Sequence, residues 1–91
     1  GLIVVVCTIA AGSGRVLSGP DVVSRGFVYV RESEPLMDEA KKLVYNILES
    51  SAEGDIHDWG TLKTRIKEGL SRLLYERTRR SPMILPIIME V

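Results

Sequence analysis

The sequence has few of the residues from which catalytic and disulfide-bonded sites are built. Its 91 residues include one cysteine, one histidine and five aromatic side chains, and twelve basic groups balance twelve acidic ones. A lone cysteine cannot form an intramolecular disulfide, so Cys7 is predicted to be a buried thiol and a disulfide-stapled secreted fold is excluded. Zero net charge argues against nucleic-acid binding driven by overall positive charge. The longest apolar run, residues 2–11, is shorter than the about 20 residues that span a bilayer.

The composition is that of one small folded domain. Apolar residues make up 45% of the chain and charged residues 26%, a balance typical of globular rather than disordered proteins. The length allows one domain at most. The chain starts at Gly1, without methionine and directly before a strand-like segment. We therefore interpret residues 1–91 as a single domain cut from a longer protein.

The N-terminal segment predicts a β-hairpin. Residues 2–9 are rich in β-branched side chains and apolar on both alternating faces, which is typical of a strand buried on both sides. Gly12 and Gly14 flank a serine and predict a tight turn, because glycine accepts positive φ. Residues 15–18 can then return as the second arm.

Two further strands are predicted on either side of a helical region. Residues 19–21 contain glycine and proline and predict a break, after which residues 26–31 resume a strand pattern. Residues 83–89 predict a last strand that is apolar on both faces. Pro86 has no N–H and therefore places this strand at a sheet edge or at a bulge.

Two amphipathic helices lie between these strands. Residues 33–35 predict a helix start and Gly54 its end. Asp58 predicts the cap of a second helix that ends near Arg80, because Pro82 disfavours helical geometry before it. The predicted apolar faces are Leu36, Ala40, Leu43, Val44, Ile47 and Leu48 in the first helix and Trp59, Leu62, Ile66, Leu70, Leu73 and Leu74 in the second. The order βββααβ predicts an α+β fold, a small mixed sheet of three to four strands with two helices packed on one face.

The number of apolar strand faces exceeds what two helices can cover. The first and last strands are apolar on both sides, yet the helices shelter one side of the sheet. We infer that the second side is buried by another copy of the chain or by the rest of a longer protein, since large exposed apolar patches mark interfaces. The alternative is that residues 19–25 fold over that side as a loop.

The zero net charge conceals an uneven distribution. Residues 32–58 hold eight acidic and two basic groups, whereas residues 63–80 hold seven basic and two acidic groups. The two helices can simply attract one another, or the basic helix can face phosphates or a partner. Phe27 and Tyr29 could stack on bases as in sheet-based RNA-binding proteins, or could pack in the core or an interface.

Motifs for catalysis or cofactor binding are weak. His57 between Asp55 and Asp58 fits a turn followed by a helix cap better than a metal site, which needs several converging ligands. The glycines at 12–14 lack the following helix that a dinucleotide site requires, and the glycines of 14–19 lack the lysine of a phosphate-binding loop. No catalytic or metal-ligating residue is therefore predicted, and no small-molecule ligand is expected.

Two long segments resemble the bacterial ribonuclease J family. Residues 19–33, GPDVVSRGFVYVRES, are similar to a segment of that family, and residues 80–91, RSPMILPIIMEV, are similar to the end of its C-terminal domain. The predicted helices between them, with Asp58 and Trp59 at the start of the second, also match. Ser81 departs from the basic or polar residue expected there.

The resemblance implies a role for the protein from which this domain comes. Ribonuclease J enzymes combine a metallo-β-lactamase fold with a β-CASP insert and cleave RNA as 5′-to-3′ exonucleases, some also as endonucleases, in mRNA decay and rRNA maturation. Two zinc ions in their catalytic domain activate the attacking water. Their ligands match no residue here, so the resemblance implies zinc only in the parent enzyme's catalytic domain. It also implies a cytoplasmic location and a C-terminal domain that supports dimerisation and full activity.

Two functions are therefore expected, in order of preference. The first is a non-catalytic assembly domain that forms a dimer and contacts the catalytic domain of its own longer chain. Its candidate interface residues are Val4, Val6, Ile84, Leu85, Ile87 and Ile88. The alternative is an RNA-contact module that guides substrate to the catalytic domain through a basic helix stripe. Its candidate residues are Arg65, Arg72, Arg79 and Arg80, together with Arg25 and Arg31.

Overall fold

The chain forms a mixed three-stranded sheet and two helices, as the α+β prediction required. The computed structural model describes residues 1–26, 30–54 and 58–91, with the backbone alone at 30–33. The elements are β1 (Leu2–Ile9), β2 (Val16–Arg25), α1 (Val30–Glu53), α2 (Trp59–Thr78) and β3 (Met83–Glu90). The strand order is β2-β1-β3. Strand β1 is antiparallel to β2 and parallel to β3.

Strand β1 supplies the centre of the core. Its inward row of alternate side chains is almost fully buried, between 0% and 2% exposed, and consists of Ile3, Val5, Cys7 and Ile9. The helices cover this row with Leu36, Ala40, Val44 and Leu48 from α1 and Leu62, Ile66, Leu70 and Leu74 from α2. The four-residue spacing keeps each helical set on one face, so both helices bury one stripe against the same side of the sheet.

Strand β2 is longer than the hairpin arm predicted from the sequence. The turn closes as expected, with the Ala10 N–H donating to the Arg15 carbonyl at 2.8 Å. The strand then continues through Gly19 and Pro20 instead of breaking there. Gly19 has φ 85°, and a Cβ at this position would lie 2.9 Å from the Val6 carbonyl oxygen. Glycine therefore allows a register shift opposite β1 in place of the predicted break.

The predicted third strand, residues 26–31, lies partly outside the described residues. Positions 27–29 are not described, and the backbone of Val30 and Arg31 is already helical. Helix α1 therefore begins about one turn before the predicted start at residues 33–35. The signal at residues 33–35 is misleading, because Pro35 lies inside α1, in its second turn, and not at the first helical position where proline is most common.

Helix α2 begins and ends where the sequence predicts. The Asp58 carboxylate accepts hydrogen bonds from the Thr61 backbone N–H at 3.1 Å and from the Thr61 hydroxyl at 2.7 Å. At the other end Arg79 adopts φ 61° and its N–H donates to the Tyr75 carbonyl. One prediction is wrong: Trp59 is 44% exposed, because it lies in the first turn, before Leu62, the first buried position.

Removing the cap of α2 should destabilise the protein in a pH-dependent way. The hydrogen bonds from the Thr61 hydroxyl and N–H lower the pKa of Asp58 from its ordinary value of 3.8. Because the folded pKa is the lower one, the stabilisation is present above pH 3.8 and is lost as the pH falls through the folded pKa. We expect Asp58→Ala to lower the urea midpoint at neutral pH.

Asp58→Asn is the matched control for this measurement, because asparagine caps a helix well but does not titrate. The difference in urea midpoint between the original protein and Asp58→Ala should shrink towards acid pH, whereas the difference between Asn and Ala variants should not. A difference in urea midpoint between the original protein and Asp58→Ala that does not change with pH would contradict a stabilising role for the charge of the Asp58 carboxylate.

Candidate functional site

The side of the sheet away from the helices is largely apolar. Leu2, Val4 and Val6 alternate with the buried residues of β1 and therefore point to this side. The register aligns Val4 with Val23 on one neighbouring strand and with Leu85 on the other. We call this side the outer face; its apolar residues are Leu2, Val4, Val6, Val23, Met83, Leu85, Ile87 and Met89.

The outer face is not covered by the described part of the chain. Leu85 is 48% exposed and Ile87 is 39% exposed. Residues 19–25, the segment that could have folded over this side, belong instead to β2 and pair with β1 in the plane of the sheet. The alternative in which residues 19–25 fold over the outer face as a loop is therefore wrong. Among the described residues, the outer face is left without apolar cover.

Two of the six predicted interface residues lie elsewhere. Ile84 and Ile88 are each 7% exposed and belong to the core beneath the helices. Val4, Val6, Leu85 and Ile87 lie together on the outer face. The expectation failed for the first pair because β3 is apolar on both faces, so its sequence does not indicate which alternate set points inward.

Half of the predicted basic stripe lies on α2: Arg65 and Arg72 are within the helix, whereas Arg79 is its C-cap and Arg80 follows the cap. Arg65, Arg72, Arg79 and Arg80 are all exposed. Arg65 donates to the Ser51 hydroxyl at 3.2 Å, and Arg79 lies over the ring of Tyr75, 5.6 Å from its centroid. The predicted attraction between the two helices is also observed as an ion pair. The Arg77 guanidinium of α2 lies 2.9 Å from the Glu39 carboxylate of α1.

The remaining candidate RNA-binding residues do not join that stripe. Arg25 aligns with Leu2 and therefore lies at the margin of the outer face, on the other side of the sheet from the helices. The side chain of Arg31 lies outside the described part of the structure, as do Phe27 and Tyr29. The structure does not bring Arg25 together with the helix arginines, because β2 carries it on the other side of the sheet. Contact between Arg25 and RNA stays a prediction.

A groove between the helices was not predicted. It opens to solvent, encloses about 460 Å³ and is lined from α2 by Arg65, Glu68, Gly69 and Arg72. Leu43, Asn46, Ile47 and Ser50 line it from α1. The one sequence signal for it is Gly69, a glycine inside an otherwise regular helix, which can mark close packing.

Cys7 behaves as the sequence predicts. It is buried in the inner row of β1, and its thiol lies 3.8 Å from the Ile87 carbonyl oxygen. Burial raises the pKa of this thiol, because a low-dielectric surrounding disfavours the thiolate. Since the thiolate is the nucleophilic form, Cys7 is a packing residue.

These features define an α+β domain with an uncovered apolar sheet face on one side and a basic helix on the other. Within residues 1–26, 30–54 and 58–91, no group of three or more His, Cys, Asp or Glu side chains is placed to hold a metal ion. Neither helix is long and apolar enough to cross a membrane over its described length. The family model for the ribonuclease J C-terminal domain matches residues 1–91. The chain therefore belongs to the ribonuclease J C-terminal domain family, which confirms the resemblance.

Similar proteins cover this chain from end to end. Ribonuclease J2 of Bacillus subtilis (strain 168) is 46% identical over 91 residues, which are 100% of this chain and 16% of that protein. Ribonuclease J 2 of Staphylococcus aureus (strain NCTC 8325 / PS 47) and that of Staphylococcus epidermidis are each 41% identical over the same shares. The chain thus spans 16% of the length of these relatives.

Replacement by alanine tests whether Ile84 and Leu85, which are neighbours on β3, point to opposite sides of the sheet. Ile84 is in the core, so Ile84→Ala should cost about 2–5 kcal/mol of unfolding free energy. Leu85 is half exposed, so Leu85→Ala should lower the unfolding free energy by much less than Ile84→Ala does when the protein is dilute. Urea denaturation of both variants at low concentration measures the difference, and equal losses would contradict the assignment of the two faces.

Proposed function

We propose that this chain is the non-catalytic C-terminal assembly domain of a ribonuclease J-like enzyme, and that its outer face binds a second copy to form a dimer. The observation that carries the proposal is the continuous apolar surface across all three strands, whose side chains are exposed on β2 and β3 and partly exposed on β1. Contiguous apolar patches of more than a few hundred Å² are uncommon on monomers and mark interaction sites.

The arrangement of the outer face favours a second copy as the partner. In a two-fold dimer the same surface meets itself, so the surface must be self-complementary. Valine, leucine and isoleucine side chains on a sheet satisfy this, because two such faces interdigitate when sheets stack. Asp21 and Arg25 both lie at the β2 margin of the face and carry opposite charges. Each can therefore meet the other across a two-fold axis.

The catalytic role belongs to the longer protein in this proposal. That protein would hold two zinc ions in its catalytic domain, cleave RNA as an exonuclease and endonuclease in the cytoplasm, and act in mRNA decay and rRNA maturation. The described residues of this chain do not fit a zinc site, so no catalytic step is assigned to them. The assembly domain would contact the catalytic domain of its own chain as well as its partner copy.

A charge on the outer face should separate the proposed dimer. Burying a leucine side chain contributes about 1.5–3 kcal/mol, and each two-fold interface contains Leu85 twice. Leu85→Glu should therefore weaken association by roughly 100-fold or more. Sedimentation velocity over a concentration series measures the dissociation constant, and circular dichroism checks that the variant is folded.

Tyr75→Glu is the matched control, because Tyr75 is also 48% exposed but lies on α2. It should leave the dimer unchanged. Leu85→Ser provides a milder variant, which should weaken association without introducing a charge. A clean monomer of the original chain at high concentration, or equal effects of Leu85→Glu and Tyr75→Glu, would contradict the proposal.

A second role, contact with RNA, is favoured by the exposed arginines of α2. Residues 63–80 carry a net charge of +5, and Arg72, Arg79 and Arg80 are exposed along and just beyond one helix. Single-stranded RNA would bring its phosphates to these guanidinium groups, releasing counterions. The role would guide substrate towards the catalytic domain.

Salt dependence tests this second role. The logarithm of the affinity for single-stranded RNA should fall linearly with the logarithm of the salt concentration, with a slope of about −0.7 for each phosphate that the protein neutralises. Replacing Arg72, Arg79 and Arg80 by glutamine should reduce that slope by roughly 2. Arg25→Gln, on the other side of the sheet, should leave it unchanged. An absence of binding at low salt, or equal effects of both replacements, would exclude the role.

A further inference from the structure

The groove between α1 and α2 has an apolar floor. Gly69 faces Ile47 and Leu43, and a Cβ at this position would lie 3.1 Å and 3.4 Å from their terminal methyl carbons. The absence of a side chain at Gly69 lets the two helices approach closely here. Leu43 and Ile47 are half-buried, so they present apolar surface to whatever enters the groove.

One wall of the groove carries two cations in a defined spacing. Arg65 and Arg72 are seven residues apart, which places them about 10 Å apart along the helix axis. Arg65 is anchored by its hydrogen bond to Ser51, whose side chain is fully buried. A guanidinium has five N–H donors, so Arg65 keeps donors for a ligand while its position is fixed.

Glu68 lies on the same wall, between the two arginines in sequence. Its carboxylate would repel an anion placed directly against it, yet it accepts hydrogen bonds from amino groups. The wall therefore combines donors for phosphate oxygens with an acceptor for the edge of a base. An acidic peptide would bring further carboxylates towards Glu68, whereas a nucleotide brings both an anion and an amino-bearing base.

We propose that this groove seats one nucleotide of single-stranded RNA. The base lies against Leu43 and Ile47, and the flanking phosphates bind Arg65 and Arg72. The volume of about 460 Å³ is within the range of small-molecule sites. This assignment rests on the second proposed role, contact with RNA, and it is independent of the dimer because the groove lies on the helix layer.

The Glu68 carboxylate makes the groove selective between pyrimidines. Cytosine presents an amino group where uracil presents a carbonyl oxygen, and a carboxylate accepts only from the first. A cytidine oligonucleotide should therefore bind more tightly than a uridine oligonucleotide of equal length, by about tenfold for one good hydrogen-bonded contact. Glu68→Gln should remove most of this preference, because an amide can also donate to the uracil oxygen.

Fluorescence anisotropy of labelled oligonucleotides with the 91-residue chain tests the site. Ser50 is exposed at the groove, so Ser50→Leu narrows the groove without changing the charge and without adding an aromatic ring on which a base could stack. Arg72→Glu reverses one cation of the wall. Each should weaken binding of the cytidine oligonucleotide by roughly tenfold or more. Lys67→Glu, with the same charge change on an exposed part of α2 outside the groove, should weaken it by about twofold.

The outcomes separate the groove from the role on which it rests. Unchanged binding by Ser50→Leu, with the arginine replacements still effective, would exclude the groove and leave RNA contact on the helix surface. Equal losses with Lys67→Glu and Arg72→Glu would also exclude it. No binding to any oligonucleotide at low salt would overturn both. Displacement of RNA by equimolar polyglutamate would identify an acidic peptide as the better ligand.

Discussion

The structure depends on how the central strand is buried. Strand β1 pairs on both edges and is apolar on both faces, but the helices cover one face. Its inner residues, such as Val5, are fully buried, and the buried stripes of both helices belong to the same hydrophobic cluster. The three strands and two helices of the described residues form two layers, one of sheet and one of helices. The exposed outer face therefore arises because β1 is apolar on both sides, whereas the helices cover one side of it.

Strand β3 forms one of the two edges of the sheet, and its hydrogen-bond donors show how strand addition is discouraged at that edge. Met83 and Val91 donate their N–H groups inward, to Gly1 and Ile9. In a parallel ladder alternate residues donate to the same side, so the even-numbered residues of β3 direct their N–H groups to the free edge. Pro86 is one of these. It interrupts the row of outward donors without removing a bond within the sheet, and proline at such a position discourages addition of another strand.

Much of the fold follows from local sequence signals that agree with one another. The cap at Asp58, the end of α2 and the edge position of β3 each depend on a residue with one strong conformational preference. The failures arise where the decisive information is not local. Ile84 and Leu85 are equally apolar, so only the position of the helices decides which of them is buried. The path of β2 through Gly19 depends on its fit against Val6 of the neighbouring strand.

The candidate sites also divide into features that local sequence predicts and features that depend on packing between elements. The arginines of α2 follow from their seven-residue spacing, because this repeat returns to nearly the same side of a helix. The groove beside them cannot be predicted from such spacing, because it forms where Gly69 of α2 packs against Leu43 and Ile47 of α1. Arg25, which charge alone would group with the stripe, is separated from it by the whole sheet. Sequence thus identified charged and apolar groups, while the packing decided which of them share a surface.

The two-layer arrangement also keeps the two proposed surfaces apart. The outer face belongs to the sheet layer, and the groove and arginines belong to the helix layer, with the inner row of β1 between them. A partner on one side therefore does not cover the other. In a dimer formed through the outer faces, the two basic helices lie on the outside of the pair, directed away from the interface. Such a dimer would present two RNA-binding surfaces, and two linked sites raise the effective concentration of each for one long strand.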